Sequence, residues 1–209
     1  TNYKVLVAPA VNLGKTFAIV SERMNSTANT DDQRFTVKAA FSSTTNLQLT
    51  RQENGDAIDV AWQVIEFTDS ASTVQSGTTS IGAGATSATA SFTNNSGTEW
   101  LVFSESGASG IAGTESRYQT RGRMTSATQL TFDRTDNTSS VDVAWFVVST
   151  PDTRVQTGTQ SFTTTPGDTT ADITINGVVS THTATMVSTR GGAGNNTDFS
   201  ATEFTSSLT

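Results

Sequence analysis

Cysteine is absent from the 209 residues and histidine occurs once, at His182. The first absence excludes disulfides, thiol nucleophiles and cysteine-ligated zinc, and the second leaves no histidine cluster for a metal and little general-base chemistry. Charge is scarce as well. Asp, Glu, Lys and Arg make up 15% of the chain, 12 basic against 19 acidic side chains, for a formal net charge of -7 and a pI near 4.6. An acidic surface with so few cations lacks the phosphate-neutralising groups on which nucleic-acid affinity depends. No apolar run reaches the roughly 18–20 residues of a membrane helix, and no signal-peptide pattern of charged, apolar and small-residue regions opens the chain. It begins at Thr1 without a methionine, which reads as a processed or trimmed piece of a longer chain.

Polar but uncharged residues fill the gap: about 40 threonines and 25 serines, nearly a third of the chain. Leu, Ile, Val and Phe together number about 42, close to the ~20% level below which disorder sets in. A folded core must therefore be thin and well patterned.

Self-comparison reveals a repeat of about 83 residues. Ile58-Asp59-Val60-Ala61-Trp62-Gln63-Val64-Ile65 returns as Val141-Asp142-Val143-Ala144-Trp145-Phe146-Val147-Val148. Asn46 to Arg51 matches Gln129 to Arg134, Arg34-Phe35 matches Arg117-Tyr118, and Val74-Gln75-Ser76-Gly77 matches Val155-Gln156-Thr157-Gly158 two residues out of step. The start of the unit occurs three times, at Phe17 to Arg23, Trp100 to Glu105 and Ala184 to Arg190, whereas Tyr3 to Val7 aligns with the closing segments Ala88 to Phe92 and Ala171 to Ile175. The expected organisation is thus a closing strand of a preceding or neighbouring unit over 1–14, whole repeats over 15–97 and 98–180, and the first strands of an incomplete third repeat over 181–209. Such a chain has unpaired edges at both ends unless flanking repeats or other copies complete them.

Within a unit apolar residues alternate. Leu47 and Leu49 oppose Gln48 and Thr50, and Ile58, Val60, Trp62 and Val64 oppose Asp59, Ala61 and Gln63, the period of a strand with one buried face. No window carries a helical apolar stripe. Strands are predicted near 16–22, 34–41, 46–51, 58–67, 73–78 and 86–93, with the same set in the second unit, so the fold class is all-β: tandem antiparallel β-sandwich repeats with almost no helix.

Trp62 and Trp145 are the strongest repeated signal. An indole can stack on a sugar, but both lie in phase with Val60 and Val143, which places them in the structural core, and the opposite face, bearing Gln63 and Phe146, is free to meet a partner. Asp59 and Asp142, Glu22 and Glu105, and Arg51 and Arg134 recur at matched places; paired carboxylates are what glycoside hydrolysis uses. Their repetition in both units without a histidine or metal motif favours structural ion pairs or turn locks. Acidic turns at Asp31-Asp32 and Asp133 to Asp136 lack the alternating ligands of a calcium loop. Four Asn-X-Ser/Thr sequons, at Asn25, Asn94, Asn137 and Asn195, fall in predicted loops, about the number that chance supplies in so Ser/Thr-rich a chain. No catalytic, cofactor-binding or metal-binding residue is expected.

The succession of an Arg-Phe strand, a Thr-Asn-Leu-X-Leu strand and a Val-X-Val-X-Trp strand resembles the six-stranded sandwich of H-type lectins, although the histidine-containing sugar-contact pattern of that family is not present and no binding residue carries over. The repeated Val-Ala-Trp-(Gln/Phe)-Val strand followed by Val-Gln-X-Gly resembles tandem β-sandwich repeats of uncharacterised bacterial surface and phage structural proteins. That resemblance spans both full units and names no activity. The expected function is that of a non-enzymatic structural protein of an extracellular fibre, cell-surface appendage or virion, assembling head to tail with copies of itself or flanking repeats as partners, and with neither nucleic acid nor membrane insertion. Assembly edges are expected at Val5 and Val7 and at Phe199, Phe204 and Leu208, each covered by another copy or a flanking repeat. The alternative is a carbohydrate-binding adhesive whose partners are surface glycans, with contacts near Asn25 to Thr30 and Gly107 to Glu115.

Overall fold

The computed structural model describes residues 2–24, 36–52, 57–95, 97–107, 119–162, 170–179 and 183–190. Phe199, Phe204, Leu208 and His182 lie outside the described residues, as do Asp31-Asp32, Arg34-Phe35, Arg117-Tyr118 and most of the two loops assigned to glycan contact. The described residues form an all-β structure of antiparallel sheets with no helix. In chain order the strands are β1 (Asn2–Leu6), β2 (Thr16–Met24), β3 (Lys38–Ser43), β4 (Asn46–Thr50), β5 (Ile58–Glu66), β6 (Thr73–Ile81), β7 (Ser87–Ser91), β8 (Glu99–Gly107), β9 (Arg121–Ser126), β10 (Gln129–Asp133) and β11 (Val141–Ser149). Among these residues no helix is long and apolar enough to cross a membrane.

Four sheets result, with strand orders β1-β4-β3, β2-β5, β6-β11-β8 and β7-β10-β9. Short turns set the tight hairpins. Between β3 and β4 the Ser43 hydroxyl accepts from the Thr45 amide at 3.3 Å, and between β9 and β10 the Ser126 hydroxyl accepts from the Thr128 amide at 3.2 Å, a local bond that favours the turn over continued strand. β6 and β7 fall in the 15–97 segment, yet they pair with β11 and β10 of the 98–180 segment, so the hydrogen-bonded ladders cross the 97/98 boundary.

Two apolar clusters hold these sheets. One joins Ile81, Val141, Val143, Trp145 and Val147 of the β6-β11-β8 sheet to Leu130 and Phe132 of β10, with Phe103 edge-on to Phe132 at 5.5 Å between ring centroids. The other gathers Phe17, Ala18, Ala39, Leu47 and Leu49 with Val74, Val102, Phe146 and Val148, and Phe17 meets Trp100 edge-on at 5.4 Å. β11 therefore contributes to both. Val141, Val143, Trp145 and Val147 point to one cluster and Phe146 and Val148 to the other, which explains why this strand has an apolar residue at nearly every position. Phe146, whose face the sequence left open to a partner, is instead buried within the chain, 2% exposed and edge-on to Phe41 of β3 at 6.0 Å.

Three features differ from the sequence expectations. Trp62 is not a core residue: it is 42% exposed where Trp145 is 8% exposed. Val5 and Val7 do not wait for a neighbouring copy, because β1 pairs with β4 in this chain and both valines lie half-buried against its second cluster. The strands expected after β11 do not form over 153–162 and 170–179. A strand needs a ladder partner, and β6 and β7, their counterparts, find theirs in β11 and β10; equivalents of β10 and β11 for a third unit are not among the described residues.

Candidate functional site

β11 is hydrogen-bonded along its whole length on both sides, to β6 and to β8. Trp145 faces Gly77 across the ladder, and its indole covers the glycine so closely that a Cβ there would lie 2.4 Å from Cζ2. The indole Nε1 donates to Thr79 Oγ1 at 3.1 Å, leaving its polar tip satisfied in a largely apolar place. One strand over, Ser80 Oγ donates to Asp142 Oδ1.

β5 repeats the β11 sequence but has β2 as its ladder partner and, among the described residues, nothing on its other edge. Val60 stays half-buried, whereas Ala61, Trp62 and Gln63 are exposed in succession. Among the described residues no strand corresponding to β6 pairs with β5 to bring a glycine beneath the Trp62 ring, and the indole is exposed. β5 thus combines an open row of backbone donors and acceptors with an uncovered indole, the combination that invites strand addition.

The segments 153–162 and 170–179 form an exposed arm at the other end of the described chain. They reproduce a local contact of the β6 and β7 pair. Gln75 Nε2 donates to Thr93 O while Gln75 Oε1 accepts from Thr93 N, both at 2.7 Å. Gln156 does the same to Asn176, at 3.1 and 2.7 Å. The arm nevertheless leaves its apolar side chains in solvent: Phe162, in the place of fully buried Ile81, is 58% exposed, and Ile173 is 64% exposed. Gly158, the counterpart of Gly77, has open space where its Cβ would be. Near the base of the arm Val155 and Thr157 line a shallow groove with Met124 and Ser126.

A third repeated contact links successive units. Ser104 Oγ accepts from the Ala39 amide at 2.9 Å, and Ser188 Oγ accepts from the Gly122 amide at 3.2 Å, so the 183–190 segment meets β9 as β8 meets β3. Arg190 adds an ion pair to Asp133 at 3.2 Å, beside Arg121 and Arg123, which bind the same carboxylate.

The repeated charged residues are tied into the framework. Arg134, 1% exposed, donates to the carbonyls of Gly82, Ala85 and Ser139 and so joins the β6–β7 and β10–β11 turns. Asp142 accepts from Lys38 at 3.4 Å and from Gln52 at 2.9 Å, both from the preceding repeat. Asp59 instead pairs with Arg23 in solvent at 2.5 Å. Glu22 and Glu105 each accept a backbone amide fifteen residues on, from Val37 at 3.1 Å and Thr120 at 3.2 Å. Burial pushes the Glu105 carboxyl up to about 8, the Thr120 hydrogen bonds pull it down, and the nearby Glu22 charge raises it again. Two of the sequons are occupied locally: Asn94 Oδ1 accepts from the Gly97 amide and Asn137 Nδ2 donates to Gly84 O; Asn25 and Asn195 lie outside the described residues.

The repeated tryptophans mark β5 and β11 in the sequence, but the edge itself is not legible there. The signal that could have found it is Gly158, matched to Gly77 in a segment without a third Val-X-Val-X-Trp strand to receive it. Compared with protein-family models, with curated proteins and with solved structures, the chain matches none.

Proposed function

We propose that this chain is a non-enzymatic structural protein built of tandem antiparallel β-sandwich repeats. It serves in an extracellular cell-surface appendage or a virion fibre, where copies or flanking repeats join head to tail through strand edges. The observation that carries this reading is the inequality of β5 and β11: nearly the same sequence, one strand laddered on both edges and the other on one, with Trp62 uncovered. The repeated serine-to-amide contacts at Ala39 and Gly122 support stacking of successive units by one rule. Negative-stain electron microscopy of the native material, with the intact mass of its denatured subunit, tests this. Fibres from a subunit near 21.9 kDa are expected if chains complete one another, and fibres from a heavier subunit if flanking repeats do so. Isolated particles at every concentration overturn the reading.

The exposed indole of Trp62 also supports a second reading, a carbohydrate-binding adhesive in which a sugar ring stacks on it. A glycan array distinguishes the two: binding that Trp62→Ala abolishes favours the adhesive, and silence across broad glycan classes rejects it.

A further inference from the structure

Resting on the assembly reading, we propose that the 153–162 segment of a second copy of this chain adds as an antiparallel strand to the edge of β5 left open among the described residues, with Gly158 beneath Trp62. The register follows from pairs already present. Val141 faces Ile81, Trp145 faces Gly77 and Val148 faces Val74 in the β11–β6 ladder. Carrying each partner to its repeat counterpart sets Ile58 opposite Phe162, Trp62 opposite Gly158 and Ile65 opposite Val155.

Four features of the two strands fit this register. Gly158 has no side chain to obstruct the indole of Trp62, as Gly77 has none beneath Trp145. Phe162 is exposed where its counterpart Ile81 is fully buried, so pairing removes an uncovered aromatic from water. Ser161 falls opposite Asp59, as Ser80 falls opposite the carboxylate of Asp142 to which it donates. Arg154 falls opposite Glu66, an opposite-charge pair directly across the ladder. β1 already holds the place beside β4 that β7 holds beside β10, so among the described residues the acceptor sheets lack only a counterpart of β6, which the first segment of the arm supplies.

The test mixes two single-cysteine variants of the otherwise cysteine-free chain, Ala61→Cys and Thr159→Cys, positions that face each other in this register as Ala144 faces Thr78. Mild oxidation is expected to give the mixed disulfide well above either like-with-like dimer, while Ala61→Cys with Thr153→Cys gives none. Adding Gly158→Val to the Thr159→Cys chain places a side chain against Trp62 and is expected to lower the mixed product about tenfold or more. Because a Cβ at Gly158 meets nothing within its own chain, the thermal melt of that variant should match the parent, which separates blocked pairing from misfolding. An equal yield from the Thr153→Cys control, or an undiminished yield with Gly158→Val, overturns the proposed register. Sedimentation velocity of the parent tells the two readings apart: association with concentration but without the mixed disulfide removes this strand pairing and leaves assembly standing, whereas a monomer throughout removes this pairing and all joining through copies of the chain.

Discussion

Gly77 and Gly158 hold matched places in the sequence, and an indole covers only the first. Gly77→Ala forces a methyl to within 2.4 Å of Trp145 Cζ2 in a strand laddered along its length, so the ring or the backbone must shift. Urea denaturation should show a loss of about 1–3 kcal/mol. The same change at Gly158 should leave unfolding within about 0.5 kcal/mol of the parent, since nothing lies within reach. Glu105 gives a second prediction. Its carboxyl ordinarily titrates at 4.5 and is pushed up to about 8 in the folded chain, chiefly by burial. Below 4.5 both folded and unfolded chains hold the proton. Between there and about 8 only the unfolded chain releases it, so this residue's contribution to stability falls with rising pH across that window and then levels off. Glu105→Gln should flatten the slope and be the more stable protein above pH 8, by as much as a few kcal/mol, in urea melts at pH 4, 6 and 8.

At the scale of the element, β11 is the strand on which both apolar clusters depend, and Phe146 is the side chain that separates it from β5. With Gln63 at the matched place, β5 presents a polar outer face, while Phe146 is 2% exposed and rests on Phe41. Phe146→Ala should cost about 3–5 kcal/mol, whereas Gln63→Ala should change little, a contrast that thermal melts of the two variants will show. Period-two alternation made these strands legible because it encodes which side chains share a face. It does not encode how many ladder partners a strand has, and that number separates buried Trp145 from exposed Trp62.

At the scale of the molecule, strand pairing runs forward along the chain: β6 and β7 find their ladder partners in the later strands β11 and β10. Amide protection should follow this order. Hydrogen exchange is expected to be slowest in 141–149, laddered on both edges and buried on both faces, and fast in 153–162, which has no ladder partner among the described residues. If a second copy takes up the arm, protection of 153–162 should rise with protein concentration while that of 141–149 stays constant.

The sequence by itself determined the all-β class and most strand positions, since alternation and composition are local properties. Only the tertiary structure decided that β1 belongs to this chain's own sheet, that Arg134 closes two turns, and that β5 keeps an open edge among the described residues. Those outcomes depend on which distant strand pairs with which backbone edge, and a sequence with near-copies offers several strands for the same place.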